Sequence, residues 1–273
     1  MGVTKITMLN MGITAAVSII LPFALLLMWK KRNRQIKSKP FLAGAAAFVI
    51  FALILESMCH QIFLAGNTPL SVFINDNIWA YVMYGALAAG IFEETGRFVT
   101  FKFFLKNNNA KEDAVTYGIG HGAVESVILV GFSMLSSMMM MYTITKMGGV
   151  ESYVALVPAE SQDMLRESLN AMFATEPYVY LLAGVERVAT IFFHIALSVF
   201  VFIAAKRPGK WYFYPAAILI HTFLDVFAVL YQRGVITNII ITEAVIVAIS
   251  LATVFLAYCL YRKDTGEAGE EAV

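Results

Sequence analysis

The sequence predicts an all-α membrane protein, a polytopic helical bundle with about seven transmembrane helices. Three observations carry this reading. Of 273 residues, 59% are hydrophobic and only 14% charged, whereas a soluble domain is nearer half apolar and a quarter charged. Mean hydropathy is +0.73. The apolar residues also gather into runs of the ~20 residues that a bilayer crossing needs, with short polar connections between them. The protein is therefore expected to be multi-pass in a cell membrane, with the lipid bilayer as its first partner. A net charge of +1 gives no electrostatic reason to expect a nucleic acid.

In order, the runs predict spans at about 6–28, 41–65, 78–105, 114–143, 178–205, 212–231 and 236–261, all in one integral membrane domain, residues 1–263. The first run is preceded only by Lys5 and followed at once by Lys30-Lys31-Arg32, a pattern that retains an uncleaved span. Alternate connections are basic: 14 Lys and Arg fall on one side, and four (Lys5, Lys146, Arg166, Arg233) on the other. The positive-inside rule then predicts an N-terminus outside and a C-terminus in the cytoplasm.

Local punctuation agrees. Asn109 with Glu112 resembles a capping box opening the fourth span, and Pro177 and Pro208 bracket the fifth. Residues 148–176 are external in this topology. There Leu165, Leu169, Met172 and Phe173 recur at helical spacing, which predicts a short amphipathic helix on the membrane surface. Residues 264–273 are acidic and contain glycine, the composition of a disordered tail. Cys59 and Cys259 lie in apolar runs without CxxC spacing and are expected to pack as small hydrophobes.

Ionisable residues interrupt this pattern. Glu93, Glu94 and Arg97 lie in the third span, His121 and Glu125 in the fourth, Glu186, Arg187 and His194 in the fifth, and His221 and Asp225 in the sixth. Each such charge costs roughly 2.5–3.5 kcal/mol near mid-bilayer on insertion scales, so each needs a partner, a wet cavity or a chemical task. His121/Glu125 and His221/Asp225 are spaced i, i+4, which puts each pair on one helix face. Counted from the cytoplasmic helix ends at ~1.5 Å per residue, Glu93, His121, His194 and His221 share a layer roughly 10–18 Å deep. Gly118 and Gly122 flank His121, and Gly85 and Ala89 share a stripe with Glu93, so these faces are expected to meet other helices. Ala86 and Gly90 mark a second stripe to Glu94, and the pattern does not choose between the glutamates. Glu56 and His60, like Glu243, fall toward the outer interface and are expected to be solvated. Glu186 and Arg187 are adjacent, so on a helix they diverge and call for partners elsewhere.

Hydrolysis of a peptide bond in a membrane needs a base, a partner that holds the water, and donors for the oxyanion. Glutamate, histidine and His-xxx-Asp supply these. His121, His194 and His221 with a carboxylate would also suit zinc. Two further readings use the same groups: an ion pair that fixes helix register, and a non-catalytic binding or proton- or ion-coupled transport protein. No HExxH occurs, so the zincin spacing is absent.

Glu93-Glu94-Thr95-Gly96-Arg97, Gly120-His121-Gly122 with Glu125, Glu186-Arg187 with His194, and His221-Thr222-Phe223-Leu224-Asp225 resemble the YhfC family of intramembrane proteases. That family is related to the CAAX-processing and bacteriocin-processing (Abi) proteases and to PrsW-type proteases. The resemblance implies an intramembrane endopeptidase acting on a membrane-associated protein or peptide. It implies Glu93, of the Glu93-Glu94 pair, as base, His121 as the partner that holds water, and His221 with Asp225 on the oxyanion side, with Arg97, Glu125, Glu186, Arg187 and His194 in support. A glutamic-type mechanism requires no cofactor; the metallopeptidase alternative takes zinc. Arg97 follows the paired glutamates by three residues, where the CAAX-type pattern has four, and Tyr117 stands where Phe is usual.

Overall fold

The computed structural model describes residues 4–265. Its helices are α1 (Lys5–Arg32), α2 (Lys39–Phe63), α3 (Pro69–Asp76), α4 (Ile78–Val99, continued by Thr100–Phe104), α5 (Lys111–Lys146), α6 (Val150–Val154), α7 (Ala159–Ala174), α8 (Pro177–Lys206), α9 (Phe213–Gln232) and α10 (Ile239–Lys263). No strand occurs among the described residues. Six helices, α1, α2, α5, α8, α9 and α10, are long and apolar enough to cross a membrane. α4 has the length, and Glu93, Glu94, Arg97 and Lys102 set it apart in composition. The molecule is an all-α, multi-pass membrane protein, and the expected span limits fall within about one turn of these helix ends.

Elementary caps explain several boundaries. Asn77 Oδ1 accepts from the backbone of Trp79 and Ala80 at the start of α4, and Asn238 does the same for Ile240 and Ile241 of α10. α3, a short helix that hydropathy alone does not reveal, opens on a Thr68/Ser71 capping box with proline at its first position. α5 begins at Lys111, and at that end Asn108 Nδ2 donates to Asp113 Oδ1 at 3.3 Å. Residues 266–273 of the expected acidic tail lie outside the described residues. Asp264, at its start, is held by Arg207 through two 2.7 Å contacts.

The chain forms two compact units, Met1–Leu21 with Ser126–Val188, and Pro22–Glu125 with Ala189–Val273. In the first, α1 turns its polar side inward: Thr7, Asn10, Thr14 and Ser18 are buried, and Ile6, Leu9, Ile13 and Ile20 are exposed. Asn10 Nδ2 donates to the Pro177 carbonyl at 2.9 Å, and Thr14 Oγ1 to that of Tyr180. This inversion suits a lipid surround, where the outer face must be apolar and polar groups find partners between helices. α7 occurs as expected, with one correction. Its apolar face packs on protein, Leu169 being buried with Ile144 and Val154 and flanked by Leu165, Met172 and Phe173, so those side chains are not left for the membrane surface.

In the second unit the core surrounds the C-terminal part of α8, where Phe193, Leu197, Val201 and Phe202 are fully or almost fully buried. α4 packs along α9, and α2 along the first part of α5. These approaches need glycine. A Cβ on Gly44 or Gly120 would collide with the carbonyl oxygens of Tyr117 and Phe41 respectively. Three π-helical stretches interrupt the helices, Phe48–Glu56 in α2, Thr100–Phe104 after α4, and Ser126–Phe132 in α5. Such stretches are frequent beside functional sites.

Candidate functional site

Within the second unit, α4, α5, α8 and α9 bring Glu93, Glu94, Arg97, His121, Glu125, His194, His221 and Asp225 into one cluster. The packing of α4 decides how. Gly90 lies against Thr222, its position for a Cβ only 2.6 Å from Thr222 Oγ1 and 3.0 Å from the Ile218 carbonyl, so the helix backbones of α4 and α9 nearly touch. That contact turns Glu94, one turn beyond Gly90, toward α9, and leaves Glu93 facing α5.

The two glutamates consequently have different partners. Arg97 Nη1 donates to both carboxylate oxygens of Glu94, at 3.0 and 3.2 Å, and His221 Nδ1 lies 2.7 Å from Glu94 Oε1. Glu94 and Arg97 are 0% exposed. Glu93 Oε2 lies 2.9 Å from His121 Nε2 and farther, 3.5 Å, from Arg97 Nη2, and Glu93 keeps 8% exposure. The i+3 arginine thus grips the second glutamate most closely, and the first meets histidine.

His194 joins the same cluster. Arg97 Nη2 donates to His194 Nδ1 at 2.6 Å, so this ring carries its proton on Nε2, which lies 2.5 Å from Glu125 Oε2. His221 stands between two carboxylates, with Nε2 3.4 Å from Asp225 Oδ2 on the side opposite Glu94. The rings of His121 and His194 are 5.0 Å apart, and those of His194 and His221 5.5 Å. Phe48 meets His121 edge-on at 5.1 Å, and Phe193 closes on His194 and His221. The shared depth expected from the sequence is thus matched by a set of touching side chains.

Glu186 and Arg187 belong to the other unit, where they are paired with each other, contrary to the expectation that adjacent helix residues must diverge. The arginine is flexible enough to fold back. Glu56 and His60 of α2, expected to be solvated, are another correction. They do not sit free in solvent: His60 Nε2 is 3.3 Å from Glu56 Oε1, and His60 Nδ1 is 2.9 Å from Tyr84 Oη. Their i, i+4 spacing puts them on one helix face, where they pair.

The donor set fits a metal ion. Glu93, His194 and His221 form one group, and His121, Glu125 and His194 another, with ligand atoms within 4.8 Å of one another in each. Imidazole nitrogen and carboxylate oxygen are ligand types of zinc, which binds them at about 2.0–2.2 Å. His121 Nδ1 is buried without a hydrogen-bond partner, a demand that a cation would satisfy. The expected trio of His121, His194 and His221 is divided between these groups, with His194 common to both. Val115 of α5 and Phe192, Ile195 and Val199 of α8 line, with Trp29, Tyr258 and Tyr261, a mostly apolar groove of about 410 Å³. It runs along the two helices that carry His121 and His194.

The family model described as YhfC intramembrane metalloprotease matches residues 17–246. A Bacillus subtilis (strain 168) protein, "Uncharacterized membrane protein YhfC", is 32% identical over 245 residues, covering 90% of this chain and 93% of that one. No solved structure matches. The chain belongs to the YhfC family.

Proposed function

We propose that this YhfC-family protein is an intramembrane peptidase that hydrolyses a peptide bond of a membrane-associated protein or peptide, with Glu93 as base. The observation that carries this is the unequal treatment of neighbouring carboxylates. Arg97 commits both oxygens of Glu94, while Glu93 keeps an exposed edge and a histidine, His121, at 2.9 Å. His121 holds the Glu93 carboxylate in place, and a water on the exposed edge of Glu93 gives its proton to Glu93 as its oxygen attacks the carbonyl carbon. The C–N bond then breaks, and Glu93 returns the proton to the departing amine. His221 lies between Glu94 and Asp225, a setting that favours the imidazolium; its Nδ1–H is given to Glu94, and its Nε2–H, on the Asp225 side, is the donor offered to the oxyanion. The apolar groove beside α5 and α8 suits an extended, hydrophobic segment arriving from the bilayer. The resemblance to CAAX-type proteases concerns the order of the motifs and says nothing of a prenyl substrate.

A second, metal-assisted reading has its own support in the unpartnered His121 Nδ1 and in the family description. His121, Glu125 and His194 would hold the ion. Bound there, zinc would polarise the carbonyl and acidify water.

The test uses purified protein in liposomes with a library of transmembrane peptides. Glu93→Gln is expected to lower hydrolysis by about 10²–10⁴-fold, the usual worth of a general base. If Glu93→Gln and Glu94→Gln both cleave at the parent's rate, the glutamate mechanism is wrong. Stoichiometric zinc that vanishes in His121→Ala, with chelator-sensitive cleavage, would select the metal-assisted reading.

A further inference from the structure

A hydrolase consumes one water per turnover, and an apolar belt keeps water out. The residues that reach from the site toward the end of the second unit carrying the 63–78 connection are polar in an unexpected place. We infer that Glu56, His60 and Tyr84 form a passage that delivers water to the site, with Glu56 as a positioning residue for that water; this rests on the peptidase reading above.

The geometry begins with the π stretch in α2. Its i→i+5 ladder stacks Phe51 beneath Glu56 on one helix face. Phe51 packs on Gly96, where a Cβ would come within 2.7 Å of the ring. Farther along, His60 meets Tyr84 at 2.9 Å. The pairs 51/96 and 60/84 run in opposite senses, so α2 and α4 are antiparallel, and Glu56 falls between these two contacts on the face turned to α4. From there it interacts electrostatically with Glu93, His221 and Asp225. Side-chain exposure rises along this line, from 10% at Glu93 to 13% at Glu56 and 34% at His60. Beyond His60, Tyr84 Oη also reaches Cys59 Sγ at 3.6 Å.

Polar side chains therefore succeed one another along the facing sides of α2 and α4, Glu56 to His60 at 3.3 Å and His60 to Tyr84 at 2.9 Å, ending on a half-open histidine. A plain helix-surface pair of Glu56 and His60 would need neither the π stretch nor the contact with Tyr84.

Cys59 is a built-in reporter. In a Cys259→Ser background reconstituted in liposomes, a membrane-impermeant cationic methanethiosulfonate reagent is expected to label Cys59. Glu56→Gln is expected to lower kcat about tenfold with KM unchanged, and Glu56→Asp to recover part of the loss, the pattern of a group that acts on the reacting water and not on substrate binding. Labelling of Cys59 by lipid-soluble reagents alone, or parental kcat in Glu56→Gln, overturns the inference. Labelling reads the passage whether or not a peptide is cleaved. If Cys59 is labelled and no peptide is hydrolysed, the peptidase reading fails and the passage stands.

Discussion

Two arginines of this protein each hold two side-chain acceptors, in opposite surroundings. Arg166 of α7 donates to Glu151 at 2.9 Å and to Asp163 at 2.5 Å, and all three residues are open to solvent. Arg97 of α4 donates to Glu94 and to His194 and is wholly buried. The contact distances are alike and the energetics are not. Around Arg166 water already solvates every charge, so the pairing contributes roughly 0–1 kcal/mol. Around Arg97 each charge has lost its water and depends on its neighbours, so the network as a whole is expensive and the removal of any member more so. A chain gains nothing in stability from such a cluster that apolar packing would not supply. The difference points to Arg97 as a residue kept for the site it arranges.

The comparison can be broken at several strengths. The largest effect expected is on Arg97→Leu. It strands Glu94 without its guanidinium and frees His194 Nδ1, and it should cost about 3–5 kcal/mol. Detergent-solubilised protein followed by thermal unfolding would read this; an unshifted melting temperature would mean that the buried pair is dispensable. Next comes Gly120→Val, which leaves every charge in place and drives a side chain into the Phe41 carbonyl. Overpacking of this kind costs about 1–3 kcal/mol, and His121, one residue on, should lose alignment, so peptide hydrolysis should fall along with stability. Full activity in that variant would show that α2 and α5 can separate without disturbing the histidine. Smallest of all, Arg166→Ala should move stability by no more than about 1 kcal/mol and only at low salt, with hydrolysis unchanged. A larger loss would make α7 part of the working machinery.

Much of this architecture was legible in residue order, for physical reasons that also set the limit. Spans announce themselves because a bilayer demands length and apolarity together, and α1, α8 and α10 satisfy both without ambiguity. The site was legible because His121, His194 and His221 have no use in lipid, and because small residues beside them promised helix contacts. What could not be read was rotation. Whether Arg97 prefers Glu93 or Glu94 depends on how α4 is turned, and that is fixed by Gly90 against Thr222. Glu56 was misjudged for the same reason. Counting residues gives its depth, while the π stretch before it decides which way it faces. α3 escaped because it is too short to span, and the apolar face of α7 was assigned to lipid because hydrophobic spacing does not say whether lipid or protein will cover it.

The π stretch also bears on how this sequence can change length. Each residue of an α-helix advances the side-chain direction by about 100°. Deleting one residue between Phe48 and Glu56 would let that part of α2 relax toward a regular α ladder, and its effect would then be confined to closing a bulge. The same deletion in the regular α-helical part of α4, between Gly90 and Arg97, would swing the two ends out of phase and part the arginine from its partners. Single-residue insertions and deletions should therefore be far better tolerated in α2 than in α4.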